Sequence, residues 1–143
     1  MLNPRVLTFF YGSYINPTVL REVDLVPKHV EVARLPGFDI EIRPLANLVP
    51  FDRHMVYGIL ATATHEELDR LYAHAREVLG GIYLPYPVLT HTTGGRSQPA
   101  LCYIAPRIET APASPDYIGR IVEPARDYQF PAWYIERLES FVP

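Results

Sequence analysis

Prolines set the strongest limit on the folds open to this chain. The sequence has 15 prolines in 143 residues. Because proline lacks a backbone N–H and clashes with the preceding helical turn, it stands at the ends of helices and at the turns or edges of sheets. We therefore predict short elements joined by stiff turns, and few long helices.

Most of the predicted elements are strands, since short runs of β-branched and aromatic residues alternate with turn residues. A turn at Pro36-Gly37 is predicted to separate the second strand from the third, and a polar turn at 92–97 to join the last two. The predicted strands are Val6–Tyr11, His29–Leu35, Phe38–Arg43, Asn47–Phe51, Met55–Leu60, Ile82–His91 and Gln98–Ile104.

Four signals predict helix starts. They are Asn16 before Pro17, Thr64 with Glu67 three residues later, Ser114 before Pro115, and Pro131. The second is a capping box, and proline is well suited to a first helical turn. Many strands with a few short helices predict an α+β fold, a small mixed β-barrel flanked by short helices. With no linker or repeat, we expect one domain over residues 1–143.

Composition excludes several classes of protein. The formal net charge is −3 and the basic residues are scattered, so no nucleic-acid partner is expected. No apolar run reaches transmembrane length, so we expect no membrane partner and a cytoplasmic protein. The single cysteine, Cys102, excludes an internal disulfide, and its apolar neighbours indicate a buried structural thiol. We leave open whether the chain forms a homodimer.

The junction after the first strand has the features of an anion cradle. Gly12 and Ser13 follow the strand and expose backbone N–H groups, and Asn16 then caps a helix. Free N–H groups beside a helix start favour a carboxylate or phosphate. The alternative is a tight turn that only joins a core strand to a helix.

Four separated segments resemble motifs of the γ-glutamylcyclotransferase-like (AIG2-like) family. Tyr11–Pro17 is similar to its opening Tyr-Gly-Ser-Asn string, and Leu35–Phe38 to its Leu-Pro-Gly-aromatic turn. Val56–Leu68 is similar to its strand and Thr-x-Glu-Glu-Leu helix, and Pro112–Leu138 to its closing section. The order and spacing of the motifs agree with the family, and the resemblance covers most of the chain.

The resemblance implies a cofactor-free transferase or lyase reaction. In such enzymes the α-amine of a γ-glutamyl group attacks its own γ-carbonyl, which closes 5-oxoproline and releases an amine or amino acid. The expected partner is therefore a small γ-glutamyl or other acidic ligand, and no metal is implied. The matching substrate-binding positions are Tyr11, Gly12, Ser13, Tyr14 and Ile15 in the loop, with Tyr83 and Tyr117, and more weakly Tyr103, as aromatic wall residues.

Tyr14 departs from the family, which typically has asparagine at this position. Asparagine is short and forms local hydrogen bonds, whereas tyrosine fills space. Tyr14 is expected either to line and narrow the pocket or to pack into the core.

The general acid/base is the second departure. The family's glutamate falls on Ala75 or Arg76 here, depending on the register, so neither supplies a carboxylate. The adjacent Glu77 is the candidate acid/base, and the alternative is a solvated loop carboxylate. His74 is a second candidate base, because histidine titrates near neutral pH, and the alternative is a surface or packing histidine. Two hypotheses follow, an active cyclotransferase and an inactive homologue that binds a small acidic ligand. A Glu77 side chain that faces the pocket would favour the enzyme, and one that faces solvent would favour the binding protein.

Overall fold

Five strands form a closed barrel in the computed structural model, which describes residues 4–106 and 109–143. The strands are β1 (Arg5–Phe10), β2 (Lys28–Ile42), β3 (Ala46–Thr64), β4 (Leu84–Thr92) and β5 (Ser97–Ile104). Their order around the barrel is β1-β3-β2-β4-β5. A parallel contact of β1 with β5 closes it, and the other neighbours are antiparallel. The predicted α+β fold, a small mixed barrel with flanking helices, is confirmed.

The helices are short and flank the barrel. They are α1 (Pro17–Arg21), α2 (His65–His74), α3 (Pro115–Asp127) and α4 (Ala132–Glu139). Three predicted caps are confirmed. The Asn16 side chain accepts from the Thr18 N–H at 2.9 Å, and Ser114 Oγ accepts from the Tyr117 N–H at 3.1 Å. Thr64 and Glu67 form a complete capping box. Because each cap depends only on local sequence, it was predictable from the residue types.

The predicted turn at Pro36-Gly37 is wrong. β2 runs through it, and β3 likewise merges the two strands predicted at 47–51 and 55–60. Pairing shifts there from Pro36 with Met55 to Phe38 with Pro50, so residues 51–54 bulge opposite Gly37. The φ of +86° at Gly37 suits this bulge. The long hairpin instead turns at residues 43–45, and this turn forms part of the site described below.

The core fills the barrel and extends beneath α3 and α4. Phe9 and Phe10 of β1 and Ile59 of β3 are at most 1% exposed, and Leu138 of α4 is fully buried. Cys102 is also buried and forms no disulfide, as predicted. In the described part of the chain, no helix is long and apolar enough to cross a membrane.

Candidate functional site

The segment after β1 is a 3₁₀ turn, Gly12–Ile15, held close to the β2–β3 hairpin turn. Gly12 has a φ of +63°, and a Cβ placed on it would lie 2.5 Å from the Ala46 Cβ. Only glycine fits this backbone conformation and this contact. The turn therefore approaches Ala46 closely and carries Ser13 and Tyr14 to one end of the barrel.

A cavity bounded by six tyrosines lies at this end of the barrel, and we call it the tyrosine cavity. The tyrosines come from the 3₁₀ turn and the residue before it, from α2, β5 and α3, and from the segment before β4. The six are Tyr11, Tyr14, Tyr72, Tyr83, Tyr103 and Tyr117. Ser13, Leu45, Ala46 and Leu79 complete the wall. The cavity volume is about 20 Å³. That volume holds about one water molecule.

Three of the tyrosine hydroxyls are tied to the backbone. Tyr11 donates to the Tyr103 carbonyl at 2.7 Å, and Tyr83 donates to the Ala46 carbonyl at 2.6 Å. The Tyr117 hydroxyl accepts from the Ala46 N–H at 3.0 Å. The first bond joins the residue after β1 to β5, and the other two join α3 and the segment before β4 to Ala46 at the start of β3, so together they stiffen much of the cavity wall.

Aromatic packing forms the rest of the wall. The rings of Tyr72 and Tyr103 are stacked, with centroids 3.8 Å apart and planes 13° from parallel. Tyr14 meets Tyr72 edge-on, at 5.7 Å and 80°. The edge-on arrangement is favoured by the ring quadrupoles, and the close stack adds contact area between the two rings.

The tyrosines of the cavity are neutral hydrogen-bonding groups. Burial raises the pKa of all six above the ordinary value for tyrosine. Burial disfavours the phenolate because the surroundings solvate it poorly. No carboxylate or cation of the described residues lines the tyrosine cavity. The wall can therefore bind and orient a ligand through hydrogen bonds, but it offers no strong proton acceptor near neutral pH.

The two candidate acid/base residues lie outside the cavity. A π-helical segment, Ala75–Leu79, continues α2, and its first residue, Ala75, is fully buried. The Glu77 side chain is 70% exposed, and its Oε1 lies 3.8 Å from the Arg76 Nη2. His74 lines a neighbouring pocket. In this conformation Glu77 faces solvent.

Five of the predicted substrate residues line the tyrosine cavity, namely Tyr11, Ser13, Tyr14, Tyr83 and Tyr117, as does Tyr103. Gly12 and Ile15 do not line it, because Gly12 packs on Ala46 and Ile15 is 1% exposed in the core.

Sequence reasoning missed Tyr72 and Leu79 as wall residues. Tyr72 belongs to the apolar stripe of α2, and its hydroxyl was the one sign that this stripe also borders a polar site. Leu79 has no such sign in the sequence. The segment 43–48 reads from the sequence as one that could face the cavity, and its residues Leu45 and Ala46 do line the wall.

An open groove of about 410 Å³ lies beside the cavity and shares Tyr72, Tyr83 and Tyr103 with it. Asp69 and Arg76 also line this groove. Its volume is in the range of pockets for small ligands, which is about 300–1,000 Å³. A ligand too long for the cavity has space to extend here.

A second pocket, of about 60 Å³, lies against the same 3₁₀ turn, and we call it the Arg120 pocket. It shares Ser13, Tyr14, Leu79 and Tyr117 with the tyrosine cavity. Unlike the cavity, it has charged side chains. Arg120 binds both carboxylate oxygens of Glu22, at 2.9 and 2.8 Å.

Solved structures share this architecture. One titled gamma-glutamyl cyclotransferase is 23% identical, with a TM-score of 0.81 over 98% of this chain and 89% of its own. An uncharacterised protein from Homo sapiens is 25% identical, with a TM-score of 0.79 over 97% and 89%. A yeast enzyme titled as a gamma glutamyl cyclotransferase specific to glutathione is 14% identical, with a TM-score of 0.67 over 98% and 96%. No protein-family model and no curated protein matches the chain.

Proposed function

We propose that this chain, which has the fold of γ-glutamylcyclotransferase-like proteins, binds the γ-glutamyl group of a small acidic ligand at the tyrosine cavity without cyclising it. The observation that carries this proposal is the chemistry of the wall. It is lined by tyrosines and Ser13, and none of its described residues is a carboxylate. Glu77, the carboxylate nearest in sequence to the family's position, faces solvent.

Cyclisation needs a proton acceptor, and this requirement favours binding over catalysis. The α-amine of a γ-glutamyl group is an ammonium near neutral pH and cannot attack until its proton is removed. The buried tyrosines do not supply this acceptor, because burial raises the pKa of each hydroxyl and so keeps it protonated near neutral pH. Hydrogen bonds from hydroxyls of the cavity wall nevertheless suit a bound carboxylate and carbonyl.

Ligand entry requires the cavity wall to move, because about 20 Å³ is too small for a γ-glutamyl group. Leu79 is a suitable part of the wall to move. It is 40% exposed and ends the π-helical segment just before Gly80. The amine portion of the ligand would then lie in the open groove, between Asp69 and Arg76.

A second candidate function is cyclisation with Glu77 as general acid/base, and the position of Leu79 favours it. Glu77 stands two residues before this wall residue, so a shift of the segment that opens the cavity also moves Glu77. Its carboxylate would take a proton from the α-amine as the nitrogen attacks the γ-carbonyl. The same proton would then pass to the departing amine, giving 5-oxoproline and a free amine.

One experiment separates the two functions. We would incubate the wild-type chain and Glu77→Gln with γ-glutamyl dipeptides and γ-glutamyl amines, and measure binding by calorimetry and 5-oxoproline by chromatography. Binding by both chains without 5-oxoproline is the expected result. Release of 5-oxoproline by the wild type, abolished in Glu77→Gln, would establish the cyclotransferase instead. Lack of binding to every compound would reject both functions.

A further inference from the structure

We infer that Arg120 provides the positive charge for the ligand's carboxylate, and that Tyr14 is the gate between Arg120 and the tyrosine cavity. This inference rests on the proposed binding of an acidic ligand. The tyrosine cavity alone supplies no cation from the described residues. Since burying an unpaired carboxylate costs much free energy, an acidic ligand needs a partner charge nearby.

The Arg120 pocket is next to the tyrosine cavity, and Tyr14 stands between them. Ser13, Tyr14, Leu79 and Tyr117 line both spaces. Of these, Tyr14 is the large aromatic side chain that is held by ring packing, against Tyr72, and not by a hydrogen bond to the backbone. Its hydroxyl makes no hydrogen bond within the described part of the chain, whereas Tyr117 is tied to the Ala46 N–H. Rotation of Tyr14 away from Tyr72 would join the two spaces.

Local structure places Arg120 at this gate. Tyr117 and Arg120 are three residues apart on α3, so they lie on the same helix face. The Asn16 side chain donates to the Arg120 carbonyl at 3.0 Å and also caps α1. The 3₁₀ turn and this part of α3 are therefore fixed to each other, and the Arg120 side chain begins beside the predicted anion loop.

Arg120 is already engaged as an anion binder. Its Nη2 is within 2.9 Å of both Glu22 oxygens. This pair is half exposed, with 45% of the Arg120 side chain and 49% of the Glu22 side chain accessible to solvent. A guanidinium has five N–H donors, so it can bind a ligand carboxylate in addition to Glu22 or in exchange for it. An exposed pair of this kind is weak, so exchange costs little.

The first test compares Arg120→Gln with Arg126→Gln, a matched control on the same helix. Arg126 also pairs with an exposed carboxylate, that of Glu139 at 3.3 Å, but lines none of these spaces. The probes are a γ-glutamyl dipeptide and its analogue with the glutamyl α-carboxylate replaced by a carboxamide. We expect Arg120→Gln to weaken dipeptide binding by about tenfold or more and to leave carboxamide binding nearly unchanged. Equal affinities of the two arginine variants for the dipeptide would overturn the inference.

Glu22→Gln separates a binding role of Arg120 from a structural one. It breaks the same ion pair but keeps the arginine charge, so we expect dipeptide binding to be retained or strengthened. A loss equal to that of Arg120→Gln would mean that the pair only stabilises the fold, and thermal melting of each variant would show the same loss.

Tyr14→Asn tests the gate. With the smaller side chain the two spaces are expected to stay joined, so the association rate for the dipeptide should rise severalfold in stopped-flow measurements. A fall in both the association rate and the affinity would make Tyr14 a ligand contact and would disprove its role as a gate.

The failure of this inference can be told apart from the failure of the proposed function. If the wild type binds the dipeptide but Arg120→Gln binds it as well as Arg126→Gln does, only this inference fails. If the wild type binds no γ-glutamyl compound, the proposed function fails with it.

Discussion

The hydroxyl of Tyr83 donates a 2.6 Å hydrogen bond to the carbonyl of Ala46 and so ties the segment before β4 to the β2–β3 hairpin turn. The N–H of the same Ala46 donates to the Tyr117 hydroxyl at 3.0 Å. The two peptide groups that flank Ala46, just after the hairpin turn, are thus each held by a cavity tyrosine. We expect these two bonds to hold Ala46 in place in the cavity wall.

Tyr83→Phe is expected to loosen this wall. It leaves the Ala46 carbonyl without the Tyr83 hydroxyl, and the free energy of unfolding should fall by about 0.5–1.5 kcal/mol. Urea denaturation followed by circular dichroism measures the change. The matched control is Tyr86→Phe on β4, whose ring is 40% exposed and lines none of the described pockets. Equal stabilities of the two variants would show that the Ala46 bond contributes nothing.

Gly12→Ala should destabilise the chain by roughly 1–3 kcal/mol. The new Cβ would lie 2.5 Å from the Ala46 Cβ, and the φ of +63° is unfavourable for alanine. Gly94→Ala is the control, because a Cβ there meets only Thr92 Oγ1 at 3.8 Å. Melting temperatures of the two variants provide the comparison. A Gly12→Ala chain as stable as Gly94→Ala would contradict the close approach of the 3₁₀ turn to the hairpin.

Glu67 should make the stability depend on acidic pH. Burial raises the pKa of its carboxyl, but backbone hydrogen bonds from Thr64 and Val26 lower it more, so the pKa is below its ordinary value. A carboxylate with a lower pKa in the folded state stabilises the fold above its unfolded pKa of about 4.3, and this stabilisation is lost as the pH falls further.

We therefore expect Glu67→Gln to cost on the order of 1 kcal/mol at pH 7 and much less at pH 3. Urea denaturation at both pH values checks this. Glu66→Gln, a neighbouring exposed residue in the same first turn of α2, is the control and should show no such difference. A cost for Glu67→Gln that does not change with pH would disprove the role of the carboxylate charge.

Cys102 should be unreactive in the folded chain. Burial raises the pKa of its thiol to about 12. At pH 8 we expect it to react with Ellman's reagent at least about a hundredfold more slowly in the native chain than in guanidinium chloride. Because the unfolded thiol loses its proton above about pH 8.5 while the folded thiol keeps it, the same shift reduces stability as the pH rises from there towards 12. Rapid native labelling would contradict a buried thiol.

Features that depend on neighbouring residues in sequence were predictable. The caps at Asn16, Thr64 and Ser114 each join groups two or three residues apart, so the residue types were sufficient. The prediction of a turn at Pro36-Gly37 was wrong because the structure there depends on residues distant in sequence. Proline and glycine also suit a bulge, and the choice was made by pairing with residues of β3 that lie more than ten positions away.

The sequence by itself determined the α+β barrel class, the helix starts, the loop at residues 11–17 and the absence of a carboxylate at the expected register. These follow from local hydrogen bonding, side-chain shape and residue order. Only the tertiary structure decided which side chains meet. Tyr72 and Tyr103 stack although they are 31 positions apart in the sequence, Arg120 lies against the loop through Asn16, and Glu77 faces solvent. Such contacts depend on how strands pair and helices pack, and this is settled by burial over the whole chain rather than by any one segment.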